Sequence, residues 1–371
     1  EVETDKYARF QEIIRAANRD LNKTNWTILD DEEDDRLDSD NTSQTFPSKQ
    51  GYQQAWDSLE RKLTSGELSG ERQYQYEETN PFLHSSTVND VTALYEEALR
   101  NYEQGDVNLA VLKLEAIVQK DTNGAELAEV WRLLGTCHAE NDDEPKAIYC
   151  LEKAVDYDPY HLSTLLSLGT CYVNELDSIK ALETLRTWVT NNPKFLGLEV
   201  THDEYSDGTL MDEVMQLILS VAAHSPNDAE VQVLLGVLYN ISQDFDSALD
   251  CFHKALESSQ SIDYNLLNKL GATLANSNRS AQALPYYSKA LEQRPKFVRG
   301  WRNLGIAHAN SNDYEPAAKA YLQALHLNPG ARHIWSYLRV VLTCMERMDL
   351  VELSTKEDVS ALAQALNTQL I

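Results

Sequence analysis

The chain contains a glycine that recurs at an almost constant interval. Each of these glycines follows a leucine, and their positions are Gly135, Gly169, Gly236, Gly271 and Gly305. The intervals are 34, 67, 35 and 34 residues, and 67 is close to twice 34. An alanine ladder keeps the same step, at Ala110, Ala147, Ala181, Ala248, Ala283 and Ala317. This regularity predicts a repeat protein with one degenerate unit inside the double interval.

The 34-residue interval is typical of the tetratricopeptide repeat, in which each unit is a helix-turn-helix pair. A small residue lets the two helices of one unit approach closely, and a large apolar residue fills the space towards the next unit. Such large residues lie four positions after an alanine of the ladder, at Leu151, Phe252, Tyr287 and Tyr321. Prolines that stop the second helix follow at Pro159, Pro193, Pro295 and Pro329. The sequence therefore predicts an all-α tetratricopeptide-repeat superhelix of about seven units, of which the fourth is degenerate.

The pattern divides the chain into five regions. Residues 1–80 are acidic and poor in apolar residues, so we expect a mostly disordered segment with short amphipathic helices. Residues 91–194 and 229–329 are two groups of three repeats, and residues 195–228 are the degenerate fourth unit, interpreted as a hinge. Residues 330–371 lack the repeat pattern. Because an array must cover its last apolar face, we interpret them as a helical cap, with a second binding element as the alternative.

Charge and composition argue against several classes of function. The formal net charge is −27, whereas binding to nucleic acid needs clustered Lys and Arg. Residues 228–371 are nearly neutral, so this is where an acidic chain best tolerates an anionic ligand. No apolar run reaches the ~20 residues of a membrane span. We therefore expect neither a nucleic-acid partner nor a membrane span.

No motif indicates catalysis. The sequence lacks GxSxG, HExxH and a phosphate-binding glycine loop, so we predict a protein that is not an enzyme and needs no cofactor. The five cysteines are an odd number without CxxC or Cys/His ligand spacing, which predicts no metal site. We interpret them as small buried residues in a reducing compartment.

Asparagine is the informative residue of the predicted inner wall. In the unit that starts at 298, Arg299, Asn303 and Asn310 lie at i, i+4 and i+11 and share one helix face. In the unit that starts at 264, the corresponding stripe is Asn268, Lys269, Ala272 and Asn276. Two other units contribute Asn174 and Asn240 near the ends of their first helices.

Two interpretations of these asparagines remain open. An asparagine close to a helix end can be a simple C-terminal cap, which applies to Asn174, Asn240, Asn276 and Asn310. Capping does not explain Asn268 and Asn303, because they lie inside helices, where asparagine is unfavourable.

The alternative interpretation is a binding wall for an extended peptide. The donors and acceptor of an asparagine amide can pair with the backbone of such a peptide. Lys269 and Arg299 would then supply charge for a terminal carboxylate. Glu140 and Glu175, in the acidic half, could face a basic side chain of the ligand.

Several stretches resemble a known family. "YQYEETNPF" (74–82), "HAENDDEPKAI" (138–148), "NKLGATLAN" (268–276) and "HIWS" (333–336) are similar to the receptor family that reads the type-1 peroxisomal targeting signal. The resemblance implies a cytoplasmic receptor, cycling to the peroxisomal membrane, whose two repeat groups close around the C-terminal Ser-Lys-Leu-type tripeptide of cargo proteins. It implies peptide-binding roles for Val173, Asn174, Glu175, Asn240, Phe245, Asn268, Lys269, Ala272, Asn276, Arg299, Asn303 and Asn310.

The sequence also departs from that family. The resemblance implies peroxisomal docking proteins as partners of the N-terminal region, but its docking motifs place Phe or Tyr four residues after Trp. Here Trp26 is followed by Asp30, and Trp56 by Glu60. The chain is therefore either a C-terminal portion of a receptor or a protein that docks differently. Phe245 stands where relatives often carry Tyr, and it lacks the hydroxyl.

Two further functional hypotheses remain. A receptor-like regulatory subunit could grip the C-terminal tail of a membrane protein with the same residues. A chaperone co-factor that clamps acidic tails would need a wall rich in Lys and Arg. The asparagine-rich pattern disfavours this third hypothesis.

Overall fold

The computed structural model describes residues 74–83, 91–120, 126–198, 208–259 and 263–371. Within these ranges it contains sixteen α-helices, one short 3₁₀-helix and no strand, and the predicted all-α fold is confirmed. The first of two compact units includes residues 76–371, whereas the second, residues 18–75, lies almost entirely outside the described residues. The predicted amphipathic helices and docking region of residues 1–73 also lie outside them.

The N-terminal half of the array consists of three helix pairs. Their bounds are α1 Val91–Glu103, α2 Val107–Val118, α3 Glu126–Glu140, α4 Glu144–Tyr157, α5 Leu162–Asn174 and α6 Ser178–Thr190. A 3₁₀-helix, Pro193–Phe195, follows, and α7 is Leu210–His224. Phe195 is buried beside Trp188 at the end of this group, with 6.2 Å between the ring centroids.

The C-terminal half contains three more pairs and three final helices. Their bounds are α8 Ala229–Ile241, α9 Phe245–Ser258, α10 Tyr264–Asn276, α11 Ser280–Gln293, α12 Val298–Asn310, α13 Tyr314–Leu327, α14 Arg332–Cys344, α15 Met348–Ser354 and α16 Val359–Ala365. Trp335 and Leu338 of α14 are buried against α13, so the final helices cover the last apolar face of the array.

The turns inside the pairs share one backbone conformation. A non-glycine residue with φ of 61–64° precedes the second helix, at Asp142, Leu176, Gln243, Asn278 and Asn312. In three of these turns the next residue is an aspartate whose carboxylate caps the helix, such as Asp143, which accepts from the backbone amide of Lys146 at 3.3 Å. The same local chemistry therefore ends one helix and begins the next in these three units.

At Gly236, Gly271 and Gly305 an aromatic ring of the second helix of the pair lies against the glycine. At Gly135 and Gly169 a leucine side chain takes its place. A Cβ atom added at Gly305 would lie 2.5 Å from the Cε1 atom of Tyr321, and one at Gly271 would lie 2.6 Å from that of Tyr287. Both rings are buried. The small residue at this position is therefore required by the close approach of the two helices.

Gly305→Ala is expected to lower the free energy of unfolding by about 1–3 kcal/mol, because the added methyl overpacks the core beside Tyr321. Urea denaturation monitored by circular dichroism measures this change. The double variant Gly305→Ala/Tyr321→Leu should lose less than the sum of the two single changes, since the smaller side chain makes room for the methyl. Strict additivity of the two changes would contradict the packing argument.

The two ends of the array meet. The Asn108 side chain donates to the Leu327 carbonyl at 2.9 Å, and the Asn328 side chain donates to the Asn141 carbonyl at 2.8 Å. Lys296 also forms an ion pair with Asp106. These contacts join α1–α4 to α11–α14 across about half of the chain, so the array closes on itself.

One expectation about the cysteines is wrong. Cys137, Cys150, Cys171 and Cys251 are buried as predicted, but Cys344 is exposed because it ends α14, where the cap no longer covers the helix. As for membranes, the described helices include none with the length and apolar character needed to cross a bilayer.

Candidate functional site

Two of the predicted asparagines contact each other across neighbouring repeats. Asn303 of α12 donates from Nδ2 to Oδ1 of Asn268 on α10 at 2.9 Å, and each residue is only 9% exposed. Arg302 donates to Oδ1 of Asn303, also at 2.9 Å. One hydrogen bond thus joins the predicted stripes of α10 and α12 into a polar strip that consists of Asn268, Asn303 and Arg302.

Arg299 lies next to this strip and contacts the N-terminal half of the array. Its guanidinium donates to both carboxylate oxygens of Glu144, with 3.0 Å between Nη1 and Oε1. Asn174 donates to the same Oε1 atom at 2.6 Å. Burial by itself would lower the pKa of Arg299, but the nearby carboxylates of Glu144 and Asp142 outweigh burial and raise it. Arg299 therefore stays charged, and the carboxylates of Glu144 and Asp142 lie close enough to balance that charge.

Lys269 has a different environment from Arg299. It is half-buried on α10, and it forms no ion pair with any residue that the structure describes. Burial lowers the pKa of its ammonium. The negative charge of Asp263 opposes this shift, whereas the positive charge of Arg299 acts in the same direction as burial. A partly desolvated cation without a counter-ion is costly, and an anionic ligand would remove that cost.

Asp142 contacts three basic side chains of the C-terminal half. Its carboxylate lies 3.0 Å from Nη1 of Arg302, 2.7 Å from Nε2 of His333 and 3.6 Å from Nε of Arg299. Burial would raise the pKa of this carboxyl group, but Arg302, His333 and Arg299 lower it. Asp142 therefore fixes the position of Arg299 and Arg302 relative to α3 and α4.

Glu140 does not face a ligand, contrary to the expectation from the sequence. It is 3% exposed, and its Oε2 atom accepts from Nη2 of Arg294 at 3.0 Å. Its Oε1 atom accepts from the hydroxyl of Tyr102 at 2.6 Å and from that of Tyr264. The carboxylate is satisfied by these three groups and closes the array.

The other predicted residues lie outside this cluster. Asn240 exchanges hydrogen bonds of 3.1 and 3.2 Å with Thr273, and it also donates to the Gly236 carbonyl of its own helix. Asn310 donates to Ser280 at 3.3 Å. Val173, Phe245 and Ala272 are half-buried, and Glu175 and Asn276 are exposed. The structure thus brings together Asn174, Asn268, Lys269, Arg299 and Asn303.

Sequence reasoning missed the groups that hold this cluster in place, which are Asp142, Glu144, Arg302 and His333. The available signal was the run of acids in "ENDDE" (140–144), since the corresponding turns of the other repeats carry fewer charges. The acids of one turn do not by themselves indicate which cations they contact. Those cations, Arg299 and Arg302, lie more than 150 positions away in the sequence.

Comparison with known proteins supports the fold and the resemblance. A family model described as "Tetratricopeptide repeat" matches residues 268–332. The peroxisomal targeting signal receptor of Candida albicans is 32% identical to the chain, over 94% of the chain and 61% of the relative. The peroxisomal targeting signal 1 receptor of Dictyostelium discoideum is 38% identical, over 72% of the chain and 42% of the relative.

A third relative has a different name. The PEX5-related protein of Homo sapiens is 32% identical to the chain, over 58% of the chain and 35% of the relative. The chain thus spans between about a third and three fifths of the length of these three relatives.

Proposed function

This chain belongs to the peroxisomal targeting signal receptor family, and we propose that its repeat array binds the C-terminal Ser-Lys-Leu-type tripeptide of peroxisomal cargo proteins. Members of such a family are receptors, so the chain is not an enzyme. The array then serves as the cargo-recognition part of a peroxisomal import receptor.

The observation that carries the proposal is the ammonium of Lys269, which has no counter-ion among the described residues and lies beside an asparagine strip. A peptide that ends in a free carboxylate supplies the missing charge. The amides of Asn268 and Asn303 can exchange their mutual hydrogen bond for bonds to the peptide backbone. Arg299 adds a second cation close to the same position.

The remaining predicted residues complete the proposed wall. Asn174 and Glu175 lie at the end of α5, and Asn240, Asn276 and Asn310 lie at or near the ends of α8, α10 and α12. In the proposal Asn174 lies with Arg299 at the peptide terminus, since both contact the same oxygen of Glu144. The amides of Asn240, Asn276 and Asn310 bind the peptide further from its terminus, while Val173, Phe245 and Ala272 contact its side chains. Glu175, which is exposed, is positioned for a basic side chain of the ligand.

The proposal extends to the route of the receptor. The cargo-loaded protein moves from the cytoplasm to the peroxisomal membrane, where peroxisomal docking proteins bind the region that precedes the repeats. That region lies outside the described residues, and its Trp26 and Trp56 lack the aromatic partner four positions later. Docking through that aromatic motif of residues 1–73 is therefore not part of the proposal.

Two synthetic peptides test the binding mechanism. A fluorescent decapeptide ending in Ser-Lys-Leu with a free carboxylate should bind at least tenfold more tightly than its C-terminal amide. This ratio corresponds to about 1.4 kcal/mol and reflects the loss of a charged acceptor. Fluorescence anisotropy measures both affinities, and a peptide of the same composition with its last three residues reversed is the control. Equal affinities for acid and amide would refute the proposal.

A second candidate is a receptor-like regulatory subunit that binds the C-terminal tail of a membrane protein, because a related protein can retain the same side chains for another ligand. Complementation separates the two functions. A cell that lacks its own receptor regains import of a Ser-Lys-Leu-tagged fluorescent protein only if the full-length gene product of this chain is an import receptor.

A further inference from the structure

The carboxylate of Glu144 makes the contacts that the proposed function assigns to a ligand. Its two oxygens accept from the Arg299 guanidinium, and its Oε1 atom also accepts from Nδ2 of Asn174 at 2.6 Å. The side chain of Glu144 is 9% exposed and that of Arg299 is 11% exposed. A carboxylate from α4 thus occupies a cation and an amide that the sequence assigns to peptide binding.

Glu144 and a peptide terminus present the same chemical group. Each offers a planar carboxylate with two acceptor oxygens, and a guanidinium binds such a group through two parallel hydrogen bonds. The donors of Arg299 and Asn174 that serve Glu144 cannot serve the peptide in the same geometry at the same time. The two carboxylates therefore compete for one position.

We propose that Glu144 is an internal competitor of the peptide terminus, which holds Arg299 and Asn174 in the empty receptor and is displaced by the ligand. The inference rests on the proposed function, because it concerns the regulation of the same site. Exchange of one carboxylate for another leaves the number of charged hydrogen bonds at Arg299 unchanged. Arg299 then contributes little to the net affinity as long as Glu144 is present.

Lys269 makes the exchange selective. A ligand that offers only a carboxylate replaces Glu144 at Arg299 without a net gain, whereas a ligand that also reaches Lys269 neutralises a cation that has no partner in the described chain. Backbone contacts with Asn268 and Asn303 add to that gain. Competition from Glu144 thus prevents small carboxylic acids from binding. It also lowers the affinity for cargo, which favours cargo release.

Glu144→Gln tests the competition. The glutamine amide cannot neutralise Arg299, so the Ser-Lys-Leu peptide should bind at least tenfold more tightly to the variant than to the wild type. Glu152→Gln is the matched control, because it removes the same charge from the same helix. Its carboxylate accepts from Tyr172 at 2.5 Å and pairs with Lys180 at 3.6 Å, away from Arg299. The control variant should bind the peptide with an affinity within about twofold of that of the wild type, because solvent screens the charge of Glu152.

A second variant separates competition from long-range electrostatics. Glu144→Asp keeps the negative charge but shortens the side chain by one methylene, so it weakens the contact with Arg299 and should also tighten peptide binding. Equal or weaker binding by both Glu144 variants, with normal binding by the wild type, would overturn the inference and leave the proposed function intact. Absence of peptide binding by every protein would instead overturn the proposed function, and the inference with it.

The wild-type complex provides a readout that does not depend on how the variants fold. In a crystal structure of the array with the Ser-Lys-Leu peptide, the peptide carboxylate should contact Arg299, and the Glu144 carboxylate should have left it. Persistence of the bidentate contact between Glu144 and Arg299 in that complex would show that Glu144 supports the arginine instead of competing for it.

Discussion

Arg294→Ala is expected to lower the free energy of unfolding by about 3–5 kcal/mol, because it leaves the buried carboxylate of Glu140 without its cation. The two side chains are 10% and 4% exposed, and both Nε and Nη2 of Arg294 donate to Glu140. The guanidinium also lies over the rings of Tyr102 and Tyr264, at 4.7 and 5.5 Å from their centroids. Urea denaturation measures the change.

The control is a surface pair of the same chemistry. Arg347 and Asp349 form an ion pair with side chains 42% and 61% exposed, and Arg347→Ala should leave the free energy of unfolding almost unchanged because solvent screens the pair. The double variant Glu140→Gln/Arg294→Met should recover part of the loss, since it removes the unpaired charge. If Arg294→Ala costs as little as Arg347→Ala, the contact that closes the array is not populated in solution.

Lys269→Met is expected to weaken binding of the Ser-Lys-Leu peptide by about 10–150-fold, which corresponds to the loss of one charged hydrogen bond. The free energy of unfolding should stay unchanged or rise. Burial lowers the pKa of Lys269 in the folded chain. At neutral pH its charged ammonium is therefore more stable in the unfolded chain than in the folded chain. The charged lysine thus lowers the free energy of unfolding, and the uncharged methionine removes this penalty. Anisotropy and urea denaturation give the two quantities.

Lys289→Met is the matched control for this prediction. Lys289 is exposed on the neighbouring helix α11, so its replacement should change neither peptide affinity nor stability by more than about 0.5 kcal/mol. A loss of stability in Lys269→Met would mean that the ammonium has a partner that the peptide-free structure does not show. Unchanged peptide affinity would remove Lys269 from the site.

Much of the fold follows from the sequence because the repeat is encoded locally. Gly271 and Tyr287 are 16 residues apart, and one turn between two helices brings them into contact. The first helices of six pairs begin within two residues of the starts that the glycine spacing predicts, at Val91, Glu126, Leu162, Ala229, Tyr264 and Val298. A short-range pattern of this kind needs no knowledge of the rest of the chain.

Helix periodicity also predicted that two residues of the candidate site lie at equivalent positions. Asn268 and Asn303 occupy equivalent positions of two successive repeats, and the structure joins them by a hydrogen bond. Helix-end asparagines were ambiguous for a physical reason, because an amide near a C-terminus can bond its own helix as well as a neighbour. Asn240 does both, with Gly236 and Thr273.

Local sequence was enough to predict the helix pairs and the positions of the amides on their first helices, because each depends on residues within about one repeat of each other. The contacts of Glu144 with Arg299 and of Asp142 with Arg302 and His333 emerge only in the folded array. These pairings span more than 150 residues and depend on the accumulated curvature of the whole array. Small rotations between repeats set that curvature, and no local pattern encodes their sum.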